Sequence, residues 1–129
     1  MNLVYIVMGL AMIQYLYFGF AVGSARSRYK IAAPAISGNE QFERYFRVHM
    51  NTLELLVVLI PALPLFAYYI STRGAAILGA VYLLGRFVYF VGYVKDPSKR
   101  GLGYGLSFLP VAILLLGGLG AAIVQQFRG

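Results

Sequence analysis

The sequence predicts an all-α integral membrane protein, a single domain (residues 1–129) folded as a bundle of four transmembrane helices. Three observations carry that expectation. The 129-residue chain is 60% hydrophobic and 12% charged, with a mean hydropathy of +0.75, far too little charge to cover a water-soluble globule. Its charges, Arg86 apart, fall in or beside short segments that separate four apolar runs. Each run is long enough to cross a hydrocarbon layer of about 30 Å as a helix. The chain has no cysteine and one histidine, His49, so neither a disulfide framework nor a metal site is expected. The net charge of +7 sits between hydrophobic runs, which points to membrane orientation and an anionic ligand, not to nucleic acid.

The first span is expected at about residues 2–23. Residues 1–25 carry no charge, so the basic region that opens a cleaved secretory signal is missing. Gln14 lies mid-span, where a packing hydrogen bond to another helix is expected, and Gly19 and Gly23 form a GxxxG that hints at close helix contact. Arg26, Arg28 and Lys30 follow, and then Pro34 and Gly38 punctuate a loop running from Ser24 to Gln41. These cations have a topogenic role, and Arg26 is the nearest of them to the membrane.

Asn39 is a suitable N-cap for the second helix, which is expected to span about 42–70. A helix from Phe42 to Ile70 would be about 43 Å long, so its first turns should project into the headgroup zone. Leu55–Thr72 is eighteen residues without a charge, and Pro61 and Pro64 are expected to kink the helix within it. A short turn at Arg73–Gly74 leads to the third span, about 75–94, which only Arg86 interrupts. The basic loop Lys95–Arg100 precedes a fourth span at about 101–127, where Pro110 is a further kink and Gly117, Gly118 and Gly120–Ala122 offer small packing faces.

Orientation follows from counting cations. Eight of the eleven Lys and Arg (Arg26, Arg28, Lys30, Arg44, Arg47, Lys95, Lys99 and Arg100) lie in or beside the two loops at one end. The positive-inside rule then puts both termini on the non-cytoplasmic side. It also brings Phe42–Glu54 level with the Tyr89–Arg100 end of the third helix.

That level is where the chemistry collects. Glu43, Arg47, Asn51 and Glu54 step along one face of the second helix, and Tyr82, Arg86, Tyr89 and Tyr93 form a stripe on the third. An arginine facing lipid would cost between ~2.5 and more than ten kcal/mol, so Arg86 must point into the bundle, with Glu54 as the expected counter-charge. Facing rows of this kind offer guanidinium forks for carboxylates, a carboxylate for an ammonium, and an amide and phenols for peptide groups. A small zwitterionic peptide with excess negative charge fits that inventory; a metal ion does not.

The segment FERYFRVHMNTLE ahead of an apolar span, together with YLLGRFVYFVGY and its basic loop, resembles the MAPEG family. These are membrane-associated proteins of eicosanoid and glutathione metabolism, and the likeness runs from about Ser24 through Arg100. The resemblance implies a homotrimer that binds glutathione, as co-substrate, between neighbouring subunits near the cytoplasmic face. By position, Arg47, Asn51 and Glu54 match glutathione-holding residues of the second helix. Arg86, Tyr89 and Tyr93 match those of the third. Arg26 matches a basic residue that a neighbouring subunit donates. Arg100 matches the catalytic arginine that stabilises the glutathione thiolate.

Leu55, Ser27 and His49 depart from the leukotriene-forming members, so general conjugation or peroxide reduction is expected in place of leukotriene synthesis. The expected partners are a second and third copy of the chain, a lipophilic small molecule and membrane lipid. The absence of a targeting tail favours a bacterial inner membrane over endoplasmic reticulum. Two other classes fit part of the pattern. One is a non-catalytic lipid- or glutathione-binding relative, against which Arg100 speaks. The other is a small multidrug transporter coupled through Glu54, where Arg47 and Arg86 would repel a cationic cargo.

Overall fold

In a computed structural model of the chain, which describes residues 1–128, four long helices alternate in direction: α1 (Asn2–Tyr29), α2 (Glu40–Tyr69), α3 (Thr72–Lys95) and α4 (Gly101–Arg128). One 3-10 turn, Pro97–Lys99, joins α3 to α4. All four helices are long and apolar enough to cross a membrane. Large side chains such as Phe20, Val57, Leu84 and Leu116 face outward from them, an exterior that is stable only in hydrocarbon. The chain is an integral membrane protein.

The helix ends show which local signals decided them. Helix α1 runs six residues beyond the expected limit at 23, through Arg26 and Arg28 to Tyr29. Cations in the last turn of a helix interact favourably with the exposed carbonyl end, so these arginines extend the helix where a loop was expected. Lys30 then turns left-handed (φ 58°), and its N–H closes on the Arg26 carbonyl. Asn39 is the N-cap of α2, its Oδ1 accepting from the Phe42 N–H at 3.0 Å. Gly38 just before it has φ 127°, a conformation open to glycine, and its N–H donates to Glu43 Oε2 at 3.2 Å. The loop is thereby folded back on the helix it precedes.

Pro61 and Pro64 lie inside a continuous α2, as Pro110 does inside α4. The turn expected at Arg73–Gly74 is displaced: both residues are already helical, because Ser71 caps α3 by accepting from the Gly74 N–H at 2.8 Å.

Helices α2 and α3 each pack against the other three. The main core joins Leu56, Leu59 and Leu63 of α2 to Val4 and Ala11 of α1, Tyr82 of α3 and Leu114 of α4. Gln14 makes the packing bond its position called for, its Nε2 donating to the Leu83 carbonyl at 2.9 Å.

The tightest helix contact is between α3 and α4, at two glycines. A Cβ on Gly85 would stand 2.6 Å from the Leu106 carbonyl carbon and 2.7 Å from the Ser107 nitrogen, and a Cβ on Gly103 would fall on the Tyr89 backbone. The expected small faces matter less uniformly. Gly118 packs on Leu65 and Phe66, and Gly19 against His49, while Gly23 and Gly120 have open space beside them.

Candidate functional site

A cleft of about 640 Å³ opens at the loop end of the bundle, where α1 and α3 finish and α2 and α4 begin. That volume suits a small organic ligand. Helix α2 supplies Glu43, Phe46, Arg47, Met50, Asn51 and Glu54, α3 supplies Tyr89 and Tyr93, and the loops supply Ile36, Ser37 and Arg100. Six of the eight residues expected at the site therefore share one cavity: Arg47, Asn51, Glu54, Tyr89, Tyr93 and Arg100. Helical spacing explains the α2 set, since residues three and four apart share a face. Arg47 and Glu54 are exposed and Asn51 is half-buried. One wall is firm: Tyr89 and Tyr93 are buried, and their rings stack with centroids 5.4 Å apart. The cleft thus has two cations (Arg47 and Arg100) and two carboxylates (Glu43 and Glu54), phenols on one wall, and apolar Phe46, Met50 and Ile36 among its lining.

Arg100 stands on a braced loop. The Asp96 Oδ1 accepts from the Ser98 N–H at 3.1 Å and from its hydroxyl at 2.9 Å, and these bonds hold the Asp96 carboxyl below the usual carboxylate range. Arg44 braces the other side. Its Nη1 donates to the Val94 and Lys95 carbonyls at 3.1 and 3.2 Å, and its Nη2 pairs with Glu40 at 2.8 Å. A guanidinium across the carbonyl end of α3 is well placed for the helix dipole. In the sequence Arg44 is only one of the eight cations gathered at the loop end; its role depends on α2 lying alongside the end of α3. Arg44→Ala should free the loop, raising amide hydrogen exchange across 95–100 by about tenfold or more, the loss of one charge-assisted bond. Exchange unchanged from wild type would show that the clamp does not hold the loop.

Two expected residues lie elsewhere. Arg26 is outside the cleft: its Nη1 donates to the Ala35 carbonyl at 2.7 Å and the Ile31 carbonyl at 3.4 Å, and its guanidinium packs 4.9 Å from the Phe42 ring centroid. It fixes the loop whose Ile36 and Ser37 line the cleft. Arg86 is beneath the cleft, fully buried, and does not form part of its lining.

The expected Glu54–Arg86 pair is not formed. Among the described residues the one ion pair is Arg44–Glu40, and Glu54 is exposed at the cleft. Arg86 is met by neutral acceptors: Asn51 Oδ1 at 2.7 Å, Thr52 Oγ1 at 3.2 Å and Ser107 Oγ at 2.8 Å. The reason is angular. Thr52 and Glu54 differ by about 200° around a helix, so the register that turns Thr52 inward turns Glu54 out. Ser107 sits 21 residues from Arg86 on another helix, and no sequence spacing announces it.

Comparison with known proteins adds to this geometry. The profile of the MAPEG family matches residues 4–120. An uncharacterised protein of Synechocystis is 46% identical over 123 residues, 95% of this chain and 89% of that one. Microsomal glutathione S-transferase 2 of Homo sapiens is 42% identical over 107 residues, covering 82% of this chain and 73% of the human protein. Leukotriene C4 synthase of Bos taurus is 32% identical over 84 residues, 65% of this chain and 56% of the bovine one.

Proposed function

The chain belongs to the MAPEG family, and from that premise we propose that it is a glutathione-dependent membrane transferase that activates the glutathione thiol for attack on a lipophilic electrophile. The observation that carries this reading is the convergence of Arg47, Asn51, Glu54, Tyr89, Tyr93 and Arg100 on one cleft of ligand size. Glutathione carries carboxylates, an ammonium, peptide groups and a thiol. Arg47 offers a fork for a carboxylate, Glu54 an acceptor for the ammonium, and Asn51 and the tyrosines partners for peptide groups. Names of the relatives speak for the same chemistry: the human protein at 42% identity is a microsomal glutathione S-transferase.

In this mechanism the thiol gives its proton to solvent and the thiolate is held by the Arg100 guanidinium. A free thiol has a pKa of about 8.5, and a nearby cation favours the reactive anion. The thiolate sulfur then forms a bond to the electrophilic carbon, and the electron pair displaced there leaves with the leaving group or takes up a proton. The electrophile dissolves in the bilayer and meets the cleft at Phe46 and Met50. With a hydroperoxide as electrophile, the thiolate would attack the outer oxygen and break the O–O bond, the alkoxide leaving as the alcohol after protonation. A second glutathione would then reduce the resulting sulfenic acid to glutathione disulfide and water.

We assign the cleft to the cytoplasmic side, by the positive-inside rule, with both termini opposite and three copies per assembly. In that trimer Arg26 would serve a neighbouring cleft with the guanidinium nitrogens that the Ile31 and Ala35 carbonyls leave uncommitted. Equilibrium binding of glutathione to the detergent-solubilised protein, read with the ultraviolet thiolate signal, tests the proposal. Saturable binding with a thiolate signal at neutral pH is the expected result. A protein that binds no glutathione is not this enzyme, and binding without conjugation of any lipophilic electrophile would make it a non-catalytic carrier.

A further inference from the structure

Arg86 is the largest fully buried side chain of the described residues, and the mechanism above gives it no task. Its surroundings do. A guanidinium has donors only, while a primary amide has one accepting and one donating end. The 2.7 Å contact between Arg86 Nη1 and Asn51 is therefore made to the amide oxygen, whatever else changes around it. The two hydroxyls beside it are fixed in the same sense. Thr52 Oγ1 gives its proton to the Val48 carbonyl and Ser107 Oγ gives its own to the Gly103 carbonyl, both at 2.7 Å, so each can only accept from Arg86. The Tyr89 ring covers the guanidinium at 4.4 Å. Helices α2, α3 and α4 thus lock one cation in one orientation, and no carboxylate among the described residues neutralises it.

We infer that Arg86 is a positioning residue: by holding the Asn51 oxygen, it turns the amide nitrogen into the cleft as a fixed hydrogen-bond donor and selects an acceptor on the ligand. The ligand group seated at Asn51 is then a carboxylate or a peptide carbonyl, and an ammonium is excluded from that place. An uncompensated buried cation under the same floor reinforces the choice, because its field is weakly screened there. Division of labour follows within the cleft. Glu54 takes the cationic end of a zwitterion, and Asn51, backed by Arg86, takes an anionic or carbonyl end. This deepens the glutathione reading and rests on it for the identity of the ligand, though not for the polarity of the amide.

The test compares glutathione binding and thermal melting of the detergent-solubilised wild type, Asn51→Asp, Arg86→Lys and Arg86→Gln. In Asn51→Asp the new carboxylate still accepts from Arg86 but has no proton for the ligand. Its melting temperature should rise, because the buried cation gains a charged acceptor, while its glutathione Kd should increase roughly tenfold or more, the loss of a charge-assisted bond. Arg86→Lys keeps a donor to the amide oxygen and should retain more affinity than Arg86→Gln, which lets the amide turn. A merely structural Arg86 predicts affinities that follow stability, so an Asn51→Asp protein that melts higher and binds as well as wild type, or better, overturns the inference. Should the Arg86 variants fail to fold, Asn51→Asp decides alone. Should wild type bind no glutathione, the functional reading fails, and the melt of Asn51→Asp still decides the polarity: higher supports it, lower overturns it.

Discussion

Arg100→Ala is expected to slow glutathione conjugation at neutral pH about tenfold to thirtyfold. A thiol with a pKa of about 8.5 is roughly 3% ionised at pH 7, so full ionisation has about thirtyfold to offer. One close opposite charge lowers a pKa by about 1–3 units, enough to reach most of that. The sign is fixed by the charge. The guanidinium stabilises the anion and lowers the thiol pKa, so removing it moves the rise in rate to higher pH. Wild type and variant should converge above about pH 9, where the thiol ionises unaided. Arg100→Lys keeps the charge without the fork and should fall between them. The pH profile of conjugation, with the ultraviolet thiolate signal of the bound complex, reads this directly; profiles that coincide would remove Arg100 from the chemistry. The residue is exposed and on a loop, so its removal should leave the bundle intact.

Gly103→Ala should have the largest effect on the fold. The added Cβ would fall on the nitrogen and Cα of Tyr89, and a helix backbone cannot swing aside as a side chain can. The α3 and α4 axes would have to part, at a cost of about 3 kcal/mol, the upper end of ordinary overpacking. The damage would reach the site, because Tyr89 lines the cleft and the Gly103 carbonyl accepts the hydroxyl that orients Ser107 toward Arg86. Gly105→Ala is the control. Two residues along the same helix, its Cβ would meet nothing within 4 Å, and alanine is the better helix former by about 1 kcal/mol. Thermal melts in detergent should therefore fall for the first variant and hold or rise for the second. Equal melts would show that the two helices have room between them.

The reading of the chain and its structure agree most where one residue type decides the outcome. Three spans are visible because a charge is expensive in hydrocarbon and its absence over eighteen residues or more is conspicuous, and the other because a single arginine, Arg86, interrupts an otherwise apolar run. Asn39 is visible as a cap because its side chain bonds its own local backbone. The row Glu43, Arg47, Asn51 and Glu54 is visible because helical spacing is a property of one helix. Agreement weakens at the ends. Arg26 and Arg28 look like loop residues, yet they complete α1, and Arg73 and Gly74 look like a turn, yet Ser71 has already begun α3. In both places a local bond or dipole outweighed the average behaviour of the residue type.

The membrane class, the four helices, their alternating course and the row of polar side chains on α2 can all be read along the chain, because each follows from composition or from spacing along a single helix. How the helices are rotated and how closely they approach is set by packing between them. That rotation turned Thr52 inward and Glu54 outward, and replaced an ion pair with a guanidinium held by an amide and two hydroxyls from α2 and α4. The close approach at Gly85 and Gly103 brought Ser107 within reach of Arg86. The physical reason is that opposite charges attract by type, which a sequence displays, whereas burial depends on angle and distance between helices, which arise only when whole faces pack.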